Sequence, residues 1–221
     1  MSRLSRPMQI VVYQDVLCAW CFVAEQRLQL VQRELGDQLR WKTRPFPLRV
    51  HETPPSAREL AGWVKDMAAA REEPEGRLLS EELWTAGDPP RSSVPALAAL
   101  EAARLQGAPA RNALARALQR AALEQGLNVT RPDVVFELAS ATGLEMNRFA
   151  AAFQSPETRR LILEEHRMAK ERGVRGVPTV VIGGRWMICG LREVGEYRDH
   201  ILGCLHKVER QRAAGTDHTL H

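Results

Sequence analysis

The chain has 221 residues, enough for one large domain or two small ones with a core that needs no disulfide staples. Its 44% hydrophobic and 26% charged residues are ordinary for a folded chain. A net charge of +4, from 31 basic and 27 acidic residues, is too small and too dispersed to suggest a nucleic-acid-binding face. Four cysteines do not make a disulfide scaffold, residues 1–7 lack the apolar core of a secretory leader, and no segment is long enough to span a membrane, so a cytoplasmic chain is expected.

Residues 8–15, with Ile10, Val11, Val12 and Tyr13 at their centre, read as a strand. Residues 22–35 read as a helix, with Leu28, Val31 and Leu35 on one stripe, stopped by Gly36-Asp37. Leu39, Trp41 and Thr43 alternate with Arg40, Lys42 and Arg44 in a second strand over 39–46, and Pro45 and Pro47 suggest a sheet edge. Together these form a βαβ unit, with parallel strands and a right-handed crossover.

From residue 56 to 172 the pattern is helical. Ser56 caps a helix to about Arg71, and Ser80-Glu81-Glu82 opens a short one. Residues 94–105 and 111–124 are Ala/Leu helices stopped by Gly107 and Gly126. Thr130 is expected to cap a helix with Pro132 in its first turn, and Ser155-Pro156-Glu157 starts a helix ending near Gly173. That makes about six helices. The β pattern returns at Pro178-Thr179-Val180-Val181-Ile182, and Gly183-Gly184 joins it to Arg185-Trp186-Met187-Ile188-Cys189 as a hairpin, because a tight primed turn needs positive φ. A last helix is expected from Gly190 to about Arg212, with residues 213–221 as a disordered tail. The fold class is therefore α/β: a mixed four-stranded sheet with flanking helices and a large helical insertion. Residues 1–55 and 174–221 would form the sheet domain and 56–173 the inserted helical domain, whose last helix, about 156–172, packs on the sheet domain.

The chemistry lies in Cys18-Ala19-Trp20-Cys21, where the first strand ends and the first helix begins. Unpaired N–H groups and the positive end of the helix dipole favour a thiolate at the first cysteine. The second cysteine, one turn on, shares that face and lies within disulfide bonding range. The spacing also supplies half a zinc site, but no second Cys-x-x-Cys and no His-x3-His completes one.

Asp15-Val16-Leu17-Cys18-Ala19-Trp20-Cys21-Phe22 resembles the Asp-Val-x-Cys-Pro-Trp-Cys-Tyr segment of the DsbA-like thioredoxin-fold family, especially its FrnE-like branch. Gly173-Val174-Arg175-Gly176-Val177-Pro178-Thr179 resembles the branch's Gly-Val-x-Gly-Val-Pro segment, and Gly190 the glycine after its hairpin. The resemblance runs from about residue 8 to 205 and implies a dithiol–disulfide oxidoreductase. It implies Cys18, at an exposed helix start, as the attacking thiolate and Cys21 as the resolving thiol. It also implies a cis Val177-Pro178 pair whose backbone binds an extended substrate, with Trp20 beside it. Ala19 departs from the family's proline; alanine still favours the helix. Trp20 carries no charge, unlike the histidine of strongly oxidising relatives, so Cys18 is expected to be less acidic and the disulfide less oxidising. The implied partners are protein thiols and disulfides or low-molecular-weight thiols, with glutathione as a co-substrate and no bound cofactor or metal; nucleic acid and membranes are not expected.

An alternative within the superfamily is a glutathione-dependent isomerase of the 2-hydroxychromene-2-carboxylate isomerase type, which typically has serine at the nucleophile and lacks the second cysteine. Cys21 argues against it. A third alternative is a non-catalytic thiol or metal-binding module. Arg175 reads as a solvated arginine near Cys18, and Asp15 as a cap of the turn before it. Cys189 and Cys204 read as small packing residues, with an auxiliary thiol at Cys189 or a Cys189–Cys204 pair as the alternative. His200, His206, His218 and His221 form no helical metal pair.

Overall fold

The structure, a computed structural model, describes residues 7–216. In chain order it contains β1 (Met8–Gln14), α1 (Ala19–Leu35), β2 (Leu39–Pro45), α2 (Ala57–Arg71), α3 (Glu82–Thr85), α4 (Val94–Arg104), α5 (Ala108–Leu123), α6 (Pro132–Ala141), α7 (Met146–Phe153), α8 (Pro156–Glu171), β3 (Thr179–Ile182), β4 (Trp186–Cys189) and α9 (Val194–Thr216). The sheet order is β2-β1-β3-β4. β1 pairs parallel with β2 and antiparallel with β3, and β3 pairs antiparallel with β4. β2 is an edge strand, as its prolines suggest: Pro45 ends the pairing opposite Gln14, where a missing N–H is tolerated. Gly183 and Gly184 have φ of 58° and 72°, the left-handed pair that a primed turn requires; the Arg185 N–H closes the turn on the Ile182 carbonyl at 3.1 Å, and Ile182 pairs with Trp186.

Four sequence expectations need correction. α1 begins at Ala19, three residues earlier than the apolar stripe suggests, because Cys18 is itself the N-cap. Thr130 does not cap α6: its N–H and hydroxyl both donate to Asn128 Oδ1, and Arg131 holds the cap position without a side-chain bond. α7 is a seventh helix in the block. Its N-cap is Glu145, whose carboxylate accepts from the N–H groups of Asn147 and Arg148 at 2.9 Å each, a role the shorter side chains usually fill. Its Phe149 and Phe153 rings stack 5.7 Å apart and meet Phe136 of α6 edge-on. α9 starts at Val194 and runs to Thr216, so residues 213–216 are helical; 217–221 lie outside the described residues. Gly190 cannot start it. Its N–H donates to the Pro178 carbonyl at 2.8 Å, and its φ of 78° turns the chain away from the sheet.

One face of the sheet packs Ile10, Val12, Val180 and Ile182 against Leu28 and Val31 of α1 and Tyr197 and Ile201 of α9. A second apolar cluster is continuous from Val16, Leu17, Ala19 and Val23 into α2, α4, α5, α6 and α7. On the opposite side of the sheet, Tyr13, Phe46, Ala169 and Val174 pack together, so α8 touches the sheet as well as α4, and Arg44 of β2 ion-pairs with Glu165 of α8.

Two polar anchors position the start of α1. Asp15, fully buried, accepts from the Leu17 N–H (2.9 Å) and the Leu48 N–H (2.7 Å), clamping the turn before Cys18 to the loop after β2. Arg27 of α1 is 3% exposed and holds four acceptor groups on other segments, three carboxylates and a carbonyl. It meets Glu73 at 2.5 Å, Glu75 at 3.0 Å, and both the Glu193 carboxylate and the Arg192 carbonyl before α9. This joins the first helix, the helical block and the last helix through a single guanidinium, whose planar fork of donors suits several acceptors at once.

Arg27→Met removes the charge while keeping the aliphatic bulk. Glu73 and Glu75 are 30% and 21% exposed and can partly rehydrate, so the loss expected in urea unfolding is about 3 kcal/mol, the low end for breaking a buried pair. The hydrogen bond to Arg27 holds Glu75 below its usual 4.5. Its contribution is therefore complete above that value and lost as pH falls through the lowered pKa, so the gap between wild type and Arg27→Met narrows in acid. Asp15→Ala strands two backbone donors and is expected to cost about 2 kcal/mol in the same measurement.

Candidate active site

β1 ends at Gln14, and Asp15 starts the turn that delivers Cys18 to the N-cap of α1 with extended backbone, φ −93° and ψ 113°. The Cys18 Sγ accepts from the Cys21 N–H at 3.2 Å, and the Cys18 carbonyl takes the N–H groups of Cys21 and Phe22 at 3.1 Å. A sulfur in the capping position meets an amide that would otherwise be orphaned, at the positive end of a 17-residue helix. From the other side, the Cys18 thiol donates to the Val177 carbonyl at 3.8 Å.

The thiols differ in environment, though less in exposure than the sequence suggests. Cys18 is 6% exposed, where an open helix start was expected, because the segment before β3 lies against it. Cys21 is 1% exposed. Burial raises the Cys21 thiol well above its usual range, and the adjacent Cys18 raises it further. Burial also raises Asp15, against the opposing hydrogen bonds from Leu17, Leu48 and Ser93; the Asp15 charge in turn disfavours a Cys21 thiolate. Asp15 is thus the turn cap its position implied, and also a buried carboxyl within electrostatic reach of Cys21.

The Val177-Pro178 peptide bond is cis. Pro178 is buried, Val177 partly so, and Trp20 is half-buried in the first turn of α1, packed on the helical core. Arg175 is exposed and lines a cleft of about 620 Å³ beside this loop, together with Arg49, His51, His166 and Lys170. Cys189 pairs opposite Thr179 at the end of β4, exposed, and Cys204 is buried in the sheet core; burial raises its pKa. All four cysteines carry free thiols. His200 and His206 are exposed on α9, the His200 Nδ1–H donating to the Glu196 carbonyl, while His218 and His221 lie outside the described residues. Among the described residues no three His, Cys, Asp or Glu side chains converge as a metal site, and no helix is long and apolar enough to cross a membrane.

Sequence reasoning missed Arg27, which carries no motif: its three carboxylate partners come from two distant segments. It also treated the basic residues as dispersed, whereas Lys42, Arg104, Arg111 and Arg116 line one cleft. Nothing in the sequence spacing signals that convergence.

A curated relative, the ClpXP adapter protein SpxH of Shouchella clausii (strain KSM-K16), is 26% identical over 187 residues, covering 80% of this chain. The match spans only 58% of that relative's length. Among solved structures, a provisional protein disulfide isomerase of Nitrosomonas europaea superposes with a TM-score of 0.79 at 20% identity, over 91% of this chain and 98% of its own. The cytosolic disulfide reductase DsbM of Pseudomonas aeruginosa, solved with GSH, superposes with a TM-score of 0.66 at 22% identity, over 91% and 99%. These likenesses establish a shared fold. The profile of the DSBA-like thioredoxin domain matches residues 9–202, nearly the whole chain, and the protein belongs to that family.

Proposed function

We propose that the protein is a dithiol–disulfide oxidoreductase acting through a Cys18 mixed disulfide resolved by Cys21. The observation that carries this reading is the placement of Cys18 Sγ as the N-cap of α1, 3.2 Å from the Cys21 N–H and against the Val177 carbonyl. In the reducing direction, the Cys18 thiolate attacks one sulfur of a substrate disulfide. A Cys18–substrate bond forms, the substrate S–S bond breaks, and the departing thiolate takes a proton. Cys21 then gives up its proton and attacks Cys18 Sγ, releasing the second substrate thiol and leaving a Cys18–Cys21 disulfide. Two electrons and two protons pass to the substrate. The reverse sequence oxidises a dithiol.

The two thiols have separate tasks. Helix-terminal amides stabilise Cys18 as nucleophile and as leaving group. Burial keeps Cys21 protonated until the mixed disulfide brings a sulfur within reach. An extended substrate would pair with the Val177 backbone, with Trp20 beside it, as in the β-augmentation mode. Protein thiols and low-molecular-weight thiols are the substrate classes we infer; glutathione is supported by the DsbM structure solved with GSH. A cytoplasmic setting is supported by the cytosolic assignment of that same structure, and a FrnE-like branch by Asp15, Trp20 and Cys21 together.

The test is a redox titration in glutathione buffers, following Trp20 fluorescence and counting thiols by mass. A reversible two-electron Cys18–Cys21 couple is expected. Trp20 adds no positive charge to the thiolate, so the potential should lie below the about −120 mV of a strong oxidant and toward the about −270 mV of a thioredoxin-like reductant. Cys21→Ser should accumulate a covalent glutathione adduct and Cys18→Ser none. Absence of a reversible couple overturns the proposal, and catalysis surviving Cys21→Ser would indicate the glutathione-dependent isomerase reading.

A further inference from the structure

A second cleft, of about 420 Å³, lies between the sheet domain and the helical block, walled by α1, β2 and α5. Four cations from three elements converge on it: Lys42 of β2, Arg104 at the end of α4, and Arg111 and Arg116 of α5. Glu25 of α1 is the one carboxylate of the lining, and it already accepts from Gln119 at 3.0 Å and from Gln29 at 3.4 Å. Arg104 ion-pairs with Glu101. Among the described residues Lys42, Arg111 and Arg116 form no ion pair; the Arg111 guanidinium meets only the Asn112 amide oxygen, at 3.1 Å.

This arrangement contrasts with three other arginines of the protein. Arg27, Arg131 and Arg167 each meet two or more carboxylates. At the cleft the charges gather with little compensation. Burial lowers the pKa of Arg111, with Arg104 adding to the effect against Glu25 and Glu101. Burial likewise lowers Lys42, with Arg44 and Arg104 adding repulsion. Arg111 is partly buried, while Lys42 and Arg116 are exposed and Arg104 is half-exposed; like charges gathered in one cleft repel, and an entering anion relieves that repulsion. Guanidinium groups present forked donors that match phosphate and carboxylate oxygens two at a time.

We propose that this cleft is a binding site for a small polyanion of the phosphate-ester class, held by Arg111 and Arg116 with Lys42 and Arg104 at its rim. The lining carries four positive charges and one negative, so a ligand with two or more negative charges is favoured over a monoanion. The bound anion would bridge β2 and α5 and so tie the sheet domain to the helical block. The site does not include Cys18 or Cys21 and does not depend on the redox reading.

The probe is inorganic pyrophosphate, with sodium chloride at matched ionic strength as the control, read by isothermal titration calorimetry and thermal unfolding of the full chain. Millimolar pyrophosphate should bind near one equivalent and raise Tm beyond the chloride control. Arg111→Gln combined with Arg116→Gln should weaken binding at least tenfold. The surface pair Lys42→Gln and Arg116→Gln, which spares the more buried Arg111, should weaken it as well and covers the case in which the first variant does not fold. Arg159→Gln with Arg160→Gln, on exposed α8, should leave the affinity unchanged. No heat and no Tm gain at millimolar pyrophosphate would overturn the proposal. So would an equal gain in the cleft variants or an equal loss in the α8 variant, since each means that the anion reads only the protein's overall charge.

Discussion

The antiparallel register between β1 and β3 is the constraint on which the site depends. Pairing of Tyr13 with Thr179 brings the end of one strand beside the start of the other. The turn after β1 and the loop before β3 must then meet, and Cys18 reaches the Val177 carbonyl across 159 residues of sequence. A slip of one residue would exchange the two faces of β3, sending Val180 and Ile182 away from α1 and α9. The hydrophobic core thus enforces the register that brings the Cys18 cap against the Val177 carbonyl.

The two thiols meet different surroundings. Cys18 occupies the cap of α1, where backbone amides supply positive potential without a charged side chain. Cys21, one turn deeper, faces burial and the nearby Asp15 carboxyl, both of which disfavour its anion. Two cysteines three residues apart therefore sit in different environments. Asp15 links the two: its clamp on Leu17 and Leu48 sets the turn that makes Cys18 a cap, and its burial bears on Cys21.

Arginine has two contrasting roles in the same scaffold. Arg27 is deeply buried, yet three carboxylates and a carbonyl surround it, so its charge organises the junction of α1, the block and α9. Arg111, where α5 lines a cleft with β2 and α1, has an amide oxygen and, among the described residues, no carboxylate in contact. Desolvation acts on both; compensation separates a structural cation from one with free capacity for an anion.

Much was legible in the sequence because it depends on neighbours along the chain. Alternation and β-branching marked the strands, Gly183-Gly184 the hairpin, Ser56 and Ser155 two helix starts, and Cys18-Ala19-Trp20-Cys21 the strand-to-helix junction. α7 escaped because a glutamate caps it, and the true start of α9 because Gly190 bonds to Pro178 instead of opening a helix. The burial of Cys18, the carboxylate cage of Arg27 and the convergence of Lys42, Arg104, Arg111 and Arg116 were decided by tertiary structure alone. Local propensity is set by side chains within a turn or a strand, whereas burial and charge compensation depend on which distant segments the packed sheet and helices bring to the same place.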